Sequence, residues 1–149
     1  MIRTLNNRNK QIAKWILAIQ ITAYEIEADL IGFHGIPQLS DTVGEIMASQ
    51  ETFVGFMLDK EIVGLISYVE TELEVDICRL VVKPKYFRKG IAKSLLLEII
   101  HCANGRRLLV STGSKNHPAI KLYEKLGFEK NDEVEVAEGI YISQFARIG

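Results

Sequence analysis

Ile12, Trp15, Ile16, Ile19, Ala23 and Ile26 recur at helical spacing, and Lys14, Gln20 and Glu27 interrupt the apolar run. That spacing predicts an amphipathic helix over residues 11–26, packed on a core. Arg3, Arg8 and Lys10 ahead of it loosely mimic a secretory leader, but the helical period and the polar interruptions favour the core helix. A loop containing Gly32, Gly35 and Pro37 follows, and Ser40 or Asp41 would cap a second helix over residues 42–49.

The pattern then changes to strands. Segments 53–58 and 62–69 read as a hairpin around Asp59-Lys60-Glu61, after a short apolar start at residues 2–5. A third strand, 74–82, stops before Pro84. Ile91, Leu95, Leu96, Ile99 and Ile100 form the apolar side of a helix over residues 90–102. A buried-type strand at 108–111 and a helix at 118–126 follow, with Gly127 at a left-handed cap position. Segments 134–137 and 140–145 flank a Glu138-Gly139 turn. The third strand, its crossover helix and the 108–111 strand make a βαβ unit, which requires parallel strands, whereas the hairpins require antiparallel ones. The expectation is one α/β domain over residues 1–149: a mixed sheet of six to seven strands with helices on both faces.

Composition narrows the function. The 149 residues are 48% hydrophobic and 25% charged, with 18 Lys+Arg against 19 Asp+Glu and a formal charge of −1. That balance suits a soluble globular protein and argues against a dedicated nucleic-acid binder. Cys78 and Cys102 form no metal or disulfide pattern, so no metal site and a cytoplasmic location are expected. No run approaches the ~18 apolar residues of a membrane span.

One segment carries chemistry: Lys83, Lys85, Arg88, Lys89 and Lys93 place five positive charges in eleven residues with no acid among them. They lie between a strand and a helix start, where free N–H groups and the helix dipole attract anions. Gly90 and Ala92 are small enough to let a phosphate reach the backbone. A capped helix with a solvated basic face explains the same residues. Downstream, Asn116, Ala119, Leu122, Tyr123, Gly127 and Phe128 form the pattern Asn…Ala…Leu-Tyr-x-x-x-Gly-Phe. This block resembles the GNAT superfamily of N-acetyltransferases, and the upstream loop resembles that family's (Gln/Arg)-x-x-Gly-x-(Gly/Ala) pyrophosphate motif, with Phe87 at the usual Gln/Arg position.

The resemblance implies acetyl-coenzyme A as co-substrate and direct transfer to a primary amine, from a small molecule or a lysine or N-terminal amine. Phe87, Arg88, Lys89, Gly90, Ile91, Ala92 and Lys93 would hold the pyrophosphate. Leu80, Val81 and Val82 would hydrogen-bond the pantetheine arm, with an oxyanion donor near Leu80, and Asn116 would add an amide contact or simply cap its helix. Tyr123 would act from the start of the last helix as the acid that protonates the leaving thiolate. Asp76, eleven residues before Phe87, is the base candidate, against the alternative of a solvated acidic hairpin. Glu25, Glu27 and Asp29 add acidity near the acceptor region. Cys78 raises a minor alternative, an acyl-cysteine route. A noncatalytic coenzyme A-binding module of the same fold is the competing function, and edge strands near the C-terminus leave a homodimer open.

Overall fold

Asn9 caps the first helix, its side chain accepting from the Ile12 N–H at 3.1 Å. The computed structural model describes residues 1–148, and this helix, α1, spans Lys10–Ile31. It runs five residues past the sequence expectation because Tyr24, Ala28 and Ile31 continue the buried stripe. It ends at Gly32, whose φ of +72° suits a residue without a Cβ. The second helix, α2 (Val43–Ala48), is capped by Thr42 rather than Ser40 or Asp41. The Thr42 hydroxyl accepts from the Glu45 N–H, and the Glu45 carboxylate accepts from the Thr42 N–H, which satisfies two otherwise orphaned donors.

The strands are β1 (Ile2–Leu5), β2 (Thr52–Leu58), β3 (Glu61–Glu70), β4 (Glu74–Val82), β5 (Arg107–Gly113), β6 (Glu129–Ala137) and β7 (Ile140–Arg147). They form one mixed sheet in the order β1-β2-β3-β4-β5-β7-β6, in which only the β4–β5 pairing is parallel. The crossover between those two strands is α3 (Ile91–Ala103), and α4 (His117–Lys125) follows β5. Short 3₁₀ turns at Pro37–Ser40 and Pro84–Tyr86 complete the path.

Period-two alternation divides the strands between two cores. Phe53, Ile62, Leu65 and Val81 join Ile16, Ile19, Ala28 and Ile31 of α1 on one face. Their neighbours Val54, Val63, Ile66 and Val82 join Leu95, Leu96 and Ile99 of α3, with Tyr123 of α4, on the other. The expected mixed sheet flanked on both faces is therefore the observed architecture. No helix is long and apolar enough to cross a membrane among the described residues.

Arg79 of β4 lies buried beneath α1 and would be costly there without partners. Its guanidinium donates to Glu51 Oε1 and Oε2 at 2.9 and 3.1 Å, to Asp41 Oδ2 at 2.6 Å and to Gln20 Oε1 at 2.6 Å. Gln20 in turn donates to the Gln38 carbonyl at 3.0 Å and to Asp41 at 2.8 Å. This cluster ties α1, the 3₁₀ turn at Pro37–Ser40, β4 and the residue ahead of β2 to one point.

Candidate active site

β4 and β5 pair over only three rungs, Glu74–Arg107, Val75–Leu108 and Asp76–Leu109. Beyond Asp76 the strands part, and the sheet opens into a cleft. A bulge shapes the opening: Arg79 opposes Ser67 and Ile77 opposes Tyr68, so Cys78 is the extra residue on β4. Val75 and Ile77 face the α3 side before the bulge, whereas Leu80 and Val82 face it afterwards. The Lys83 N–H donates to the Val63 carbonyl of β3 at 2.8 Å. By strand alternation Val81 also turns its backbone groups to β3, while Leu80 and Val82 turn theirs toward the gap. The strand edge expected to bind a pantetheine arm is thus free at Leu80 and Val82 and committed at Val81.

The cleft holds about 470 Å³ and is lined by Tyr24 and Glu27 of α1, Cys78 to Leu80 of β4, Val110 to Gly113 of β5 and Tyr123 of α4, among others. Tyr123 lies in the latter half of α4, not at its start, and is that helix's buried residue, whereas Leu122 and Leu126 are only partly buried. Its ring packs against Phe128 and Phe145 at centroid distances of 5.9 and 5.8 Å. Among the described residues, neither the Tyr24 nor the Tyr123 hydroxyl has a hydrogen-bond partner, and no side-chain polar atom is sealed away without one. Both hydroxyls therefore open to the cleft. Burial, and then the nearby Glu27 charge, hold the Tyr123 phenol well above its ordinary pKa, so it stays protonated.

Asn116, the N-cap of α4, is fully occupied. Its side-chain amide donates to Glu27 Oε1 at 2.8 Å and to Thr112 Oγ1 at 3.1 Å, and its carbonyl accepts from the Ala119 N–H at 3.4 Å. Thr112 Oγ1 donates to the same Glu27 oxygen at 3.3 Å. Asn116 is thus both a cap and the clamp on Glu27, a pairing 89 residues apart in sequence. Burial raises the Glu27 pKa above the usual carboxylate range, and the two side-chain donors only partly oppose it.

The basic loop lies beside the end of β4. Phe87 is extended and exposed, Arg88 adopts a φ of +62°, and Gly90 enters α3 at φ +76° with no side-chain cap. The first backbone donor of α3 satisfied inside the helix is Ser94 N–H, bonded to the Gly90 carbonyl at 3.0 Å, so Ile91, Ala92 and Lys93 N–H groups point outward. A Cβ built on Gly90 meets nothing within 4 Å, which leaves room for an anion. Arg88, Lys89 and Lys93 flank it in the chain at exposed positions. Lys83, in contrast, pairs with Glu61 and turns away from the group.

Asp76 does not join this constellation. It remains paired at the closed vertex of the opening, exposed beside Glu74, outside the cleft lining. Its pKa is raised by desolvation and then by Glu74. The Cys78 thiol lines the cleft, but burial and neighbouring carboxylates push it up to about 11, which keeps the thiolate scarce at neutral pH. Tyr24, Glu27, Thr112 and Arg79 are the residues that sequence reading missed as a group. The available signal was weak: Glu27 stood out only as one of three acidic residues near the end of the first helix.

Comparison with known proteins agrees with the fold. The chain is 42% identical over 146 residues to UPF0157 protein YqkA of Bacillus subtilis (strain 168), covering 97% of this chain and 43% of that relative. The chain therefore spans less than half the length of that relative. Among solved structures, the PaiA N-acetyltransferase of Thermoplasma acidophilum, in complex with coenzyme A, aligns with a TM-score of 0.78 at 18% identity, covering 100% of this chain and 98% of that one. The ribosomal-protein-S18-alanine N-acetyltransferase of Escherichia coli aligns with a TM-score of 0.77 at 18% identity, covering 99% and 92%. These two likenesses concern the fold. The sequence pattern of the Acetyltransferase (GNAT) family matches residues 16–128, a span that takes in the split sheet, the basic loop and the Tyr123 helix. This chain belongs to the GNAT family of acetyltransferases.

Proposed function

We propose that the protein transfers an acetyl group from acetyl-coenzyme A to a primary amine, directly and within one ternary complex. The observation that carries this reading is the opening between β4 and β5: a strand edge free at Leu80 and again at Val82 leaves the sheet there, and Leu80 and the unpartnered Tyr123 line one cleft. The α3 start would hold the pyrophosphate through the Ile91, Ala92 and Lys93 N–H groups, with Arg88, Lys89 and Lys93 neutralising its charge. Leu80 and Val82 would pair with the pantetheine amides and so continue the sheet, and the Leu80 N–H would face the developing oxyanion. The Phe87 ring adds no polar contact, and its backbone alone serves the loop. Tyr123 would donate its proton to sulfur as the C–S bond breaks.

A noncatalytic coenzyme-binding module would need the strand edge and the α3 start but not an unpartnered phenol over the cleft. The test is thiol release from acetyl-coenzyme A across amino acids, polyamines, alkylamines, arylalkylamines and lysine peptides. Turnover with an amine establishes the enzyme, and coenzyme binding without turnover for any acceptor returns the chain to the binding-module reading.

Gly90→Glu should weaken coenzyme A binding by about 100-fold, or ~2.7 kcal/mol, because it sets a carboxylate where the pyrophosphate would lie. Gly90→Ala separates charge from backbone strain. Its methyl group meets open space, and the φ of +76° costs stability of ~1–2 kcal/mol without blocking the anion. Calorimetry on both variants checks this, and equal affinities for the two would remove the phosphate cradle from Gly90.

A further inference from the structure

We propose that Glu27 is the base that takes the proton from the acceptor amine, and that the acceptor is a primary amine carried on an apolar body. This rests on the acetyl-transfer reading above. Glu27 Oε1 is clamped by Asn116 and Thr112, at 2.8 and 3.3 Å, whereas Oε2 has no hydrogen-bond partner among the described residues. A carboxylate with one oxygen fixed and the other free toward a half-enclosed cleft is oriented to accept a proton there. The Tyr123 hydroxyl opens to the same cleft from α4.

The protons balance. An ammonium acceptor and a thioester yield an amide, a thiol and one proton. Glu27 takes the first proton from nitrogen, the amine attacks the carbonyl carbon, and the C–N bond forms. As the C–S bond breaks, sulfur receives the Tyr123 proton, nitrogen's second proton restores Tyr123, and Glu27 releases its own to solvent. No further reactant is needed.

The surroundings single Glu27 out as the group that titrates on the acid side. Tyr24, from the same helix, and Tyr123, from α4, are both shifted upward by burial. From β4, Cys78 is raised to about 11 and Arg79 stays a cation held by Glu51 and Asp41. β5 contributes Ser111 and Thr112, and the C-terminal hairpin contributes Val136 and Ile142, none of them titratable. The loop over the cleft contributes Phe33, Ile36 and Pro37, while His34 turns outward to Asp29 at 2.8 Å. Burial raises the Glu27 pKa above its ordinary value, so activity should rise with pH as this carboxylate ionises.

The acceptor class follows from the same lining. Glu27 is the one acidic side chain in it, and Phe33, Ile36, Pro37, Val136 and Ile142 supply apolar walls. A polyamine or aminoglycoside would bring several charges to one carboxylate, leaving the others desolvated without partners. An alkyl or arylalkyl monoamine satisfies both the carboxylate and the walls.

The experiment compares the full chain with Glu27→Gln, and with Glu27→Asp as the conservative variant, using phenethylamine, spermidine and a fluorinated alkylamine whose pKa lies below neutrality. Expected for phenethylamine is a ~10²–10⁴-fold loss of kcat/KM in Glu27→Gln, with loss of the acid limb of the pH profile, partial recovery in Glu27→Asp and unchanged coenzyme A affinity. The fluorinated amine is already largely unprotonated, so its penalty should shrink to within a few fold. A merely structural role would penalise both amines equally, and that result, or no loss with either, overturns the base assignment. Faster wild-type turnover of spermidine than of phenethylamine overturns the acceptor class. Wild-type protein that binds coenzyme A but releases no thiol with any amine overturns the acetyl-transfer reading, and this inference with it.

Discussion

Arg79→Met is expected to lower folding stability by about 3–5 kcal/mol at neutral pH, the usual consequence of removing one partner from a buried charge cluster. The loss arises because Glu51 and Asp41, each with a side chain 18% exposed, would keep their charges without the guanidinium between them. In a chain of this length the melting temperature should fall by roughly 10 °C or more. The pH dependence supplies a sharper check. In the wild type, desolvation is the largest single influence on Glu51 and raises its pKa, yet Arg79, Ser67 and Ser49 together bring it below the ordinary carboxylate value. That contribution is present above the unfolded value of about 4.5 and is lost as pH falls through the folded one. Without Arg79, desolvation wins and the Glu51 pKa rises, so the variant should gain more stability than the wild type as pH falls from 7 toward 5. Urea denaturation at several pH values reads both slopes. Equal slopes would show that Arg79 does not hold the Glu51 carboxylate ionised.

The second large effect is on turnover. Tyr123→Phe should reduce kcat by ~10²–10⁴-fold where thiolate departure limits the rate, while coenzyme A affinity is preserved. The ring's packing against Phe128 and Phe145 needs no hydroxyl, so phenylalanine retains the core. The hydroxyl has no partner to lose, and its removal leaves no buried polar atom stranded. Thiol release measured under single-turnover conditions isolates the chemical step. Full activity there would leave Tyr123 as a core residue alone.

Most of the fold was legible because apolar spacing changes from three or four residues to two wherever a helix gives way to a strand. The errors fall where that contrast fades. β6 begins at Glu129, five residues before the expected start, because an exposed edge strand rich in Glu, Lys and Asp has no buried face to announce it. The Thr42–Glu45 box is present in the sequence as Thr-x-x-Glu, but Ser40 and Asp41 just ahead of it are equally good cap residue types. For the site, Tyr123 and the Gly90 loop were legible through local motifs. Glu27 was not, because its partners Asn116 and Thr112 meet it only through tertiary packing. A charged residue on an amphipathic helix reads as solvent-facing until that packing is known. Cys78 had a subtler effect: one extra residue reverses which side chains of β4 face each core, so no alternation carried through the strand predicts both Ile77 and Leu80 on the α3 side.

The three rungs between β4 and β5 also divide the sheet into two panels. One panel is β1 to β4 with α1 to α3, and the other is β5, β7 and β6 with α4. Among the described residues, backbone pairing joins them only from Glu74–Arg107 to Asp76–Leu109, with the Glu27–Asn116 clamp at the open end. Amide hydrogens in the second panel can therefore exchange through a partial opening that leaves the first intact. A ligand whose own amides bridge Leu80 and Val82 to the far wall would act as a suture, slowing exchange in β5 and β7 well beyond the atoms it touches.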